Sequence, residues 1–156
     1  MTMKIYIMRH GEAGLLASSD AERTLTQRGK RESLAVISQS LAKMSTRIDK
    51  VFVSPYTRAQ QTWEEIAPLL QVESVESCED ITPYGQSEEV YEYLCALAEE
   101  EQPESILLVS HLPLVGYLTA EFLSDSSAPM FPTSGLACVD FDVNSRQGRL
   151  IWQAKP

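Results

Sequence analysis

The sequence predicts an α/β fold in three layers: a mostly parallel central sheet, helices on both faces and an antiparallel edge strand. Two observations carry this. Short apolar runs at Ile5-Tyr6-Ile7-Met8, Val51-Phe52-Val53 and Ile106-Leu107-Leu108-Val109 alternate with helical patterns, and such alternation builds parallel sheets. Each run is apolar without a break, as a strand covered on both faces must be. Each also ends at a polar turn: Arg9-His10-Gly11, Ser54-Pro55 and Ser110-His111.

In chain order, residues 5–8 form the first strand and a polar loop follows through Asp20. Thr26 suits the cap of a helix whose apolar positions are Leu34, Ile37, Leu41 and Met44. Residues 51–53 form the second strand, and a helix containing Trp63 and Ile66 runs from about 57 to 70. Val72 and Val75 allow a short edge strand in the acidic stretch that comes next. Ser87 is placed to cap a helix carrying Val90, Leu94 and Leu97. The buried strand at 106–109 leads to a helix with Pro113 in its first turn and Leu114, Leu118 and Phe122 on one face. A Pro/Ser-rich loop at 124–134 precedes two strands, near 136–141 and 149–152, whose connection through 144–148 makes them a hairpin.

The 156 residues show no repeat, linker or low-complexity tract, so a single domain over 1–156 is expected. With 44% hydrophobic and 22% charged residues the chain has the balance of a globular protein. Thirteen basic against 22 acidic residues leave a formal charge of −9, which repels polyanions and argues against nucleic-acid or membrane binding. An unbroken run of four apolar side chains before Arg9 is too short for a leader or a membrane span. Cys78, Cys95 and Cys138 are odd in number and widely spaced, which fits a reduced, cytoplasmic compartment and thiols serving as small apolar residues. The acidic runs Glu88-Glu89 and Glu99-Glu100-Glu101 read as a solvated helix face.

In parallel sheets, ligands bind beyond the carboxyl ends of the strands. Arg9-His10, the segment from Ser54 to Arg58, and Ser110-His111 all follow predicted strands, so three distant segments converge on one rim. His10 and His111 are the two histidines of the chain. Arg58 opens a helix, where the dipole favours acids, and this makes sense if an anion lies between the guanidinium and the helix N-terminus. Two arginines and two imidazoles are what phosphoryl transfer requires. Guanidinium groups match the equatorial oxygens, and a neutral imidazole is a good nucleophile at phosphorus. Nearby arginines disfavour the imidazolium and keep that nitrogen free. The scheme needs no metal or cofactor, and no metal-ligand spacing is present.

The same residues carry a resemblance. Arg9-His10-Gly11-Glu12 is similar to the RHG signature of the histidine phosphatase superfamily, which includes the phosphoglycerate mutases. It is followed, in family order, by Leu25-Thr26-Gln27-Arg28-Gly29, by Ser54-Pro55-Tyr56-Thr57-Arg58-Ala59-Gln60-Gln61-Thr62 and by Val109-Ser110-His111. Within the superfamily the chain most resembles the bacterial SixA-type phosphohistidine phosphatases, through Ser110-His111-Leu112-Pro113-Leu114-Val115-Gly116-Tyr117-Leu118, Pro129-Met130-Phe131 and Ile81-Thr82-Pro83. The resemblance runs from Lys4 to about Trp152 and implies a compact sheet without a large cap insert. It implies that His10 becomes transiently phosphorylated and that Arg9, Arg58 and His111 complete the phosphate pocket. Arg23 matches a further arginine near the site, although a solvated loop charge explains it equally well. Gly11, Ser54, Ser110 and Leu112 are secondary candidates, with Ser54 and Ser110 read first as turn caps.

Mutase-like members use a glutamate as general acid, and Asp80 stands in the nearest matching slot, with a turn residue as the competing reading. An imidazole leaves phosphorus easily, whereas an alkoxide needs a proton. A weakly provided acid therefore favours phosphohistidine over sugar phosphates. The chain between Arg58 and His111 is filled by two helices and an acidic strand, which leaves no lid and points to an open cleft. The expected activity is removal of a phosphoryl group from histidine of a phosphotransfer or signalling protein by a monomeric enzyme. The alternatives are a small-molecule phosphomonoesterase and a non-catalytic phosphoprotein-binding module. Asp140-Phe141-Asp142-Val143 resembles a haloacid-dehalogenase opening, but too little chain follows it. No cysteine begins a CxxxxxR loop.

Overall fold

The computed structural model describes residues 1–124 and 127–156, so the part of the Pro/Ser-rich loop at Asp125 and Ser126 lies outside the described residues. Among the described residues, six strands form one sheet: β1 (Thr2–Arg9), β2 (Arg47–Val53), β3 (Gln71–Ser77), β4 (Ser105–Ser110), β5 (Leu136–Asp142) and β6 (Gln147–Ala154). Four helices connect them: α1 (Gln27–Ser40), α2 (Thr57–Ile66), α3 (Ser87–Glu101) and α4 (Leu114–Phe122). The strand order is β3-β2-β4-β1-β5-β6. The first four of these strands are mutually parallel, and the β5–β6 hairpin adds an antiparallel margin beside β1. The three-layer α/β class and its antiparallel edge are as the sequence predicts.

Alternation along β1 explains the two covered faces. Ile5 and Ile7 point to one side, where they join Ile106, Leu108, Leu94 and Ala98 of α3, and Leu118 and Phe122 of α4. Tyr6 and Met8 point to the other, where they meet Leu107, Val109, Val36 and Ile37 of α1, and Ala59 and Ile66 of α2. β4 is buried at every residue, whereas β3, at the sheet edge, is largely exposed.

Three local expectations are corrected. The buried face of α1 is Gly29, Ser33, Val36, Ile37 and Ser40, while Leu34 is half-buried and Leu41, in the turn after the helix, is exposed. The helix lies so close to the turn after β1 that small residues, not leucines, fit its inner face. Ser87 is the first residue of α3, not its cap; Gln86 holds the cap position, and the Ser87 hydroxyl donates to Glu121 Oε2 at 2.9 Å. Pro113 is the N-cap residue of α4, one place before its first turn. Thr26 does cap α1, its Oγ1 accepting from Gly29 N at 3.0 Å.

The aspartates of the rejected dehalogenase reading serve the hairpin. Asp140 lies 3.0 Å from Lys4 Nζ, and Asp142 Oδ1 accepts from the N–H groups of Asn144 and Ser145 in the turn. Cys78, Cys95 and Cys138 are free thiols, the latter two buried. No helix among the described residues is long and apolar enough to cross a membrane.

Candidate active site

Because β2, β4 and β1 are adjacent and parallel, their carboxyl ends deliver Ser54, His111 and His10 to one rim. The backbone N–H of Ser54 donates to Val109 O at 3.0 Å and that of His10 to Ser110 O at 2.9 Å, which extends the ladder into the site. The His10 and His111 rings lie 5.0 Å apart between centroids. Arg58, at the second position of α2, is buried and donates from Nε to His10 Nε2 at 3.3 Å.

The remaining His10 nitrogen defines the ring. Nδ1 is 2.7 Å from the carbonyl oxygen of Gly11, and a carbonyl only accepts, so Nδ1 carries the proton and Nε2 keeps its lone pair. Burial pushes the His10 pKa down to about 4; the Gly11 hydrogen bond opposes this, and Arg58, Arg9 and Arg23 add to it. The sequence alone points to the arginines as what keeps the imidazole neutral. Desolvation is the larger cause.

His111 is also buried, and its pKa is pushed down to about 3, first by burial and then by His10 and Arg58. Its Nε2 is 2.7 Å from Ser54 Oγ, which also accepts from Tyr56 N at 3.2 Å. The Tyr56 ring packs edge-on against His111 at 5.1 Å, and the Arg58 guanidinium lies over that ring at 5.1 Å. Arg9 donates from Nη1 to Phe131 O at 2.9 Å. Among the described residues, the buried Arg9 Nε, a donor, and His111 Nδ1 have no hydrogen-bond partner.

The secondary candidates separate. Gly11 acts through its backbone, with its N–H held by Thr62 Oγ1 at 3.0 Å. A Cβ there would meet Gly29 O at 2.7 Å, and one on Gly29 would meet Glu12 O at 2.2 Å. The two glycines of the Arg-His-Gly and Leu-Thr-Gln-Arg-Gly segments are thus there for close approach. Thr26 seals the same contact, its N–H donating to Glu12 O at 2.9 Å. Arg23 is drawn in: its Nε donates to Gly14 O at 2.8 Å and its Nη1 to Asp20 Oδ1 at 3.1 Å. Ser110 Oγ instead donates to Ile81 O at 2.7 Å, so its hydroxyl serves as a tie. That tie secures the short turn Glu79–Ile81 beside the end of β4, and Asp80 is exposed on it. Leu112 is exposed next to His111.

Sequence reading missed Asp20, Tyr56 and the 131–135 loop. Asp20 accepts from Arg58 Nη2 at 3.1 Å through Oδ2, and its backbone oxygen accepts from Arg58 Nη1 at 2.6 Å. It sits in the helical turn Asp20–Glu22, three residues before Arg23, but no sequence pattern ties it to Arg58. Gly135 O accepts from Arg9 N, and Ser134 N donates to His10 O.

Residues 5–82 match the family model of the histidine phosphatase superfamily, branch 1. The chain is also 43% identical to the phosphohistidine phosphatase SixA of Escherichia coli (strain K12), across 99% of this chain and 94% of that protein. The chain belongs to the histidine phosphatase superfamily. A SixA homolog from Haemophilus influenzae is 37% identical across 99% of this chain and 97% of its own length. A solved structure of the protein histidine phosphatase SixA complexed with tungstate superposes with a TM-score of 0.91 at 42% identity, covering 99% of this chain and 97% of that one. The fold of that structure is thus matched across 99% of this chain, and His10, His111, Arg9 and Arg58 lie at one rim of its sheet.

Proposed function

We propose that this protein is a phosphohistidine phosphatase that works through a phosphoryl intermediate on His10. The observation that carries the reading is the His10 ring, held neutral with its Nε2 lone pair directed at a cationic pocket, while Gly11 O grips the opposite nitrogen. In the first step Nε2 attacks phosphorus and the bond from phosphorus to the substrate nitrogen breaks. Positive charge then develops on the His10 ring, and the Gly11 carbonyl stabilises it through Nδ1–H. Arg58, Arg9 through Nε and His111 through Nδ1 supply donors to the phosphoryl oxygens. In the second step water attacks phosphorus, the bond to Nε2 breaks, and inorganic phosphate leaves with the lone pair restored. A protonated imidazole leaving group departs without a proton from the enzyme. Asp80, on the turn tied to Ser110, is the candidate acid for less willing leaving groups.

The substrate we assign is a histidine displayed on a phosphotransfer protein. Relatives named phosphohistidine phosphatase support this. So do the exposed apolar side chains on loops at the rim: Leu15 and Leu16 after β1, Tyr84 before α3, Leu112 after β4 and Met130 before β5. Such side chains suit contact with a protein surface better than with a small metabolite. The test is brief exposure to a phosphorylated phosphotransfer domain followed by mapping of an acid-labile, base-stable phosphoryl group. It is expected on His10. A label on another residue would overturn the mechanism, and an unlabelled, untouched substrate would overturn the assignment.

A further inference from the structure

Asp20 places a carboxylate where the substrate's negative charge has to arrive. Its Oδ2 lies 3.1 Å from Arg58 Nη2, and its Oδ1 lies 3.1 Å from Arg23 Nη1. Its backbone oxygen takes Arg58 Nη1, while Arg58 Nε points at His10 Nε2. All three nitrogens of this buried guanidinium are therefore engaged, two of them by one residue. The Arg23 hydrogen bond holds the Asp20 carboxyl below the usual carboxylate range; burial opposes it and the Arg58 hydrogen bond and charge add to the lowering, so it is charged at neutral pH. Its side chain is 47% exposed, and it sits on a turn of three residues.

We propose that Asp20 is an internal anion that neutralises Arg58 and Arg23 in the empty pocket and lowers the pocket's affinity for phosphate, favouring release of the product. A phosphoryl group bound at His10 must accept hydrogen bonds from Arg58. Whether the Asp20 carboxylate shares Arg58 Nη2 with it or withdraws, a negative charge opposes its binding. A pocket with three arginines and no such counter-charge would retain the phosphate dianion it has just made. The inference rests on His10, Arg58 and Arg23 forming one phosphoryl pocket.

The test is direct calorimetric titration of wild-type protein and Asp20→Asn with tungstate and with inorganic phosphate. The amide keeps the size of the side chain and the backbone bond to Arg58 while removing the charge. Both anions should bind Asp20→Asn about fivefold more tightly or better, the scale of one partly exposed charge interaction. A loss of positioning alone would weaken binding, so the sign separates the two roles. Unchanged or weaker binding by the variant overturns the inference and leaves the pocket assignment standing. Failure of the wild type to bind either anion removes the pocket assignment and the inference together.

Discussion

Nδ1 of His10 and the carbonyl oxygen of Gly11, the next residue in the chain, are held 2.7 Å apart. The contact is maintained from α2, because Gly11 N donates to Thr62 Oγ1 and the Thr62 hydroxyl donates to Arg58 O at 2.8 Å. The helix that presents the arginine thus also sets the ring of the nucleophile. Orientation and protonation state come from the same bond, since a protonated Nδ1 leaves Nε2 as the basic nitrogen.

The neutral histidines carry a cost in acid. Both have folded-state pKa values far below the ordinary 6.5, about 4 for His10 and about 3 for His111. As pH falls below 6.5 the unfolded chain binds protons at these positions and the folded protein does not, so unfolding becomes easier. Each histidine then removes up to about 1.4 kcal/mol per pH unit, until pH passes its folded value. The lowered carboxylates Asp20, Asp49 and Asp142 add their own loss mainly as pH falls through their ordinary value of 3.8, below the interval from pH 7 to pH 5. Urea unfolding at pH 7 and pH 5 should show a clear loss at pH 5. His10→Asn or His111→Asn should flatten the dependence. A pH-independent stability across that range would contradict the burial of neutral rings.

Two helix glycines should respond to alanine with opposite signs. Gly29 in α1 faces Glu12, and a Cβ would stand 2.2 Å from the Glu12 carbonyl oxygen. Gly29→Ala should therefore cost about 1–3 kcal/mol, despite the higher helix propensity of alanine. It should also lower turnover by shifting the turn that carries His10. Gly116 in α4 has only Pro129 O at 3.5 Å, an ordinary contact. Gly116→Ala should stabilise by about 0.5–1 kcal/mol. Thermal or chemical unfolding of the two variants reads the difference directly.

How much of this was legible in the sequence follows from what each feature depends on. Strand-end positions follow from apolar runs and turns, so Arg9, His10, Ser54, Arg58 and His111 were all recognisable. Asp20 was not, because its role depends on a loop folding back over α2, a path no periodicity records. The inner face of α1 was misjudged for a related reason. Leucine spacing marks a helix face in general, but Gly29 and Ser33 mark the part of one where the turn after β1 comes within a few ångströms of the helix. Ser110 follows its first reading as a turn residue and not the secondary one as a phosphate contact: its hydroxyl reaches Ile81 O in the turn beside β4.

Asp80 can be assigned by comparing leaving groups. An alkoxide needs a proton as it departs, whereas a protonated imidazole does not. If Asp80 is the acid, Asp80→Asn should lower kcat for an alkyl phosphate about 100-fold or more, within the usual range for general acid catalysis. For a phosphohistidine substrate the same variant should stay within a few-fold of wild type. Equal losses on both substrates would mean that Asp80 supports the turn and does not donate the proton.

Arg58→Lys tests whether charge alone is enough. The guanidinium contacts three atoms in different directions: Nε reaches His10 Nε2, Nη1 reaches Asp20 O and Nη2 reaches Asp20 Oδ2. It does so from a site only 4% exposed, packed over the Tyr56 ring. A lysine ammonium is a compact, strongly hydrated charge that cannot span these positions, and its burial without matching partners is unfavourable. In the transition state the loss is larger, because charge on the phosphoryl oxygens is met by preorganised donors in fixed directions. Removing one such donor typically costs about 100-fold or more. Arg58→Lys should therefore lower kcat/KM by at least that factor, and tungstate affinity should fall as well. Activity within tenfold of wild type would show that the pocket needs a positive charge there and not a fork.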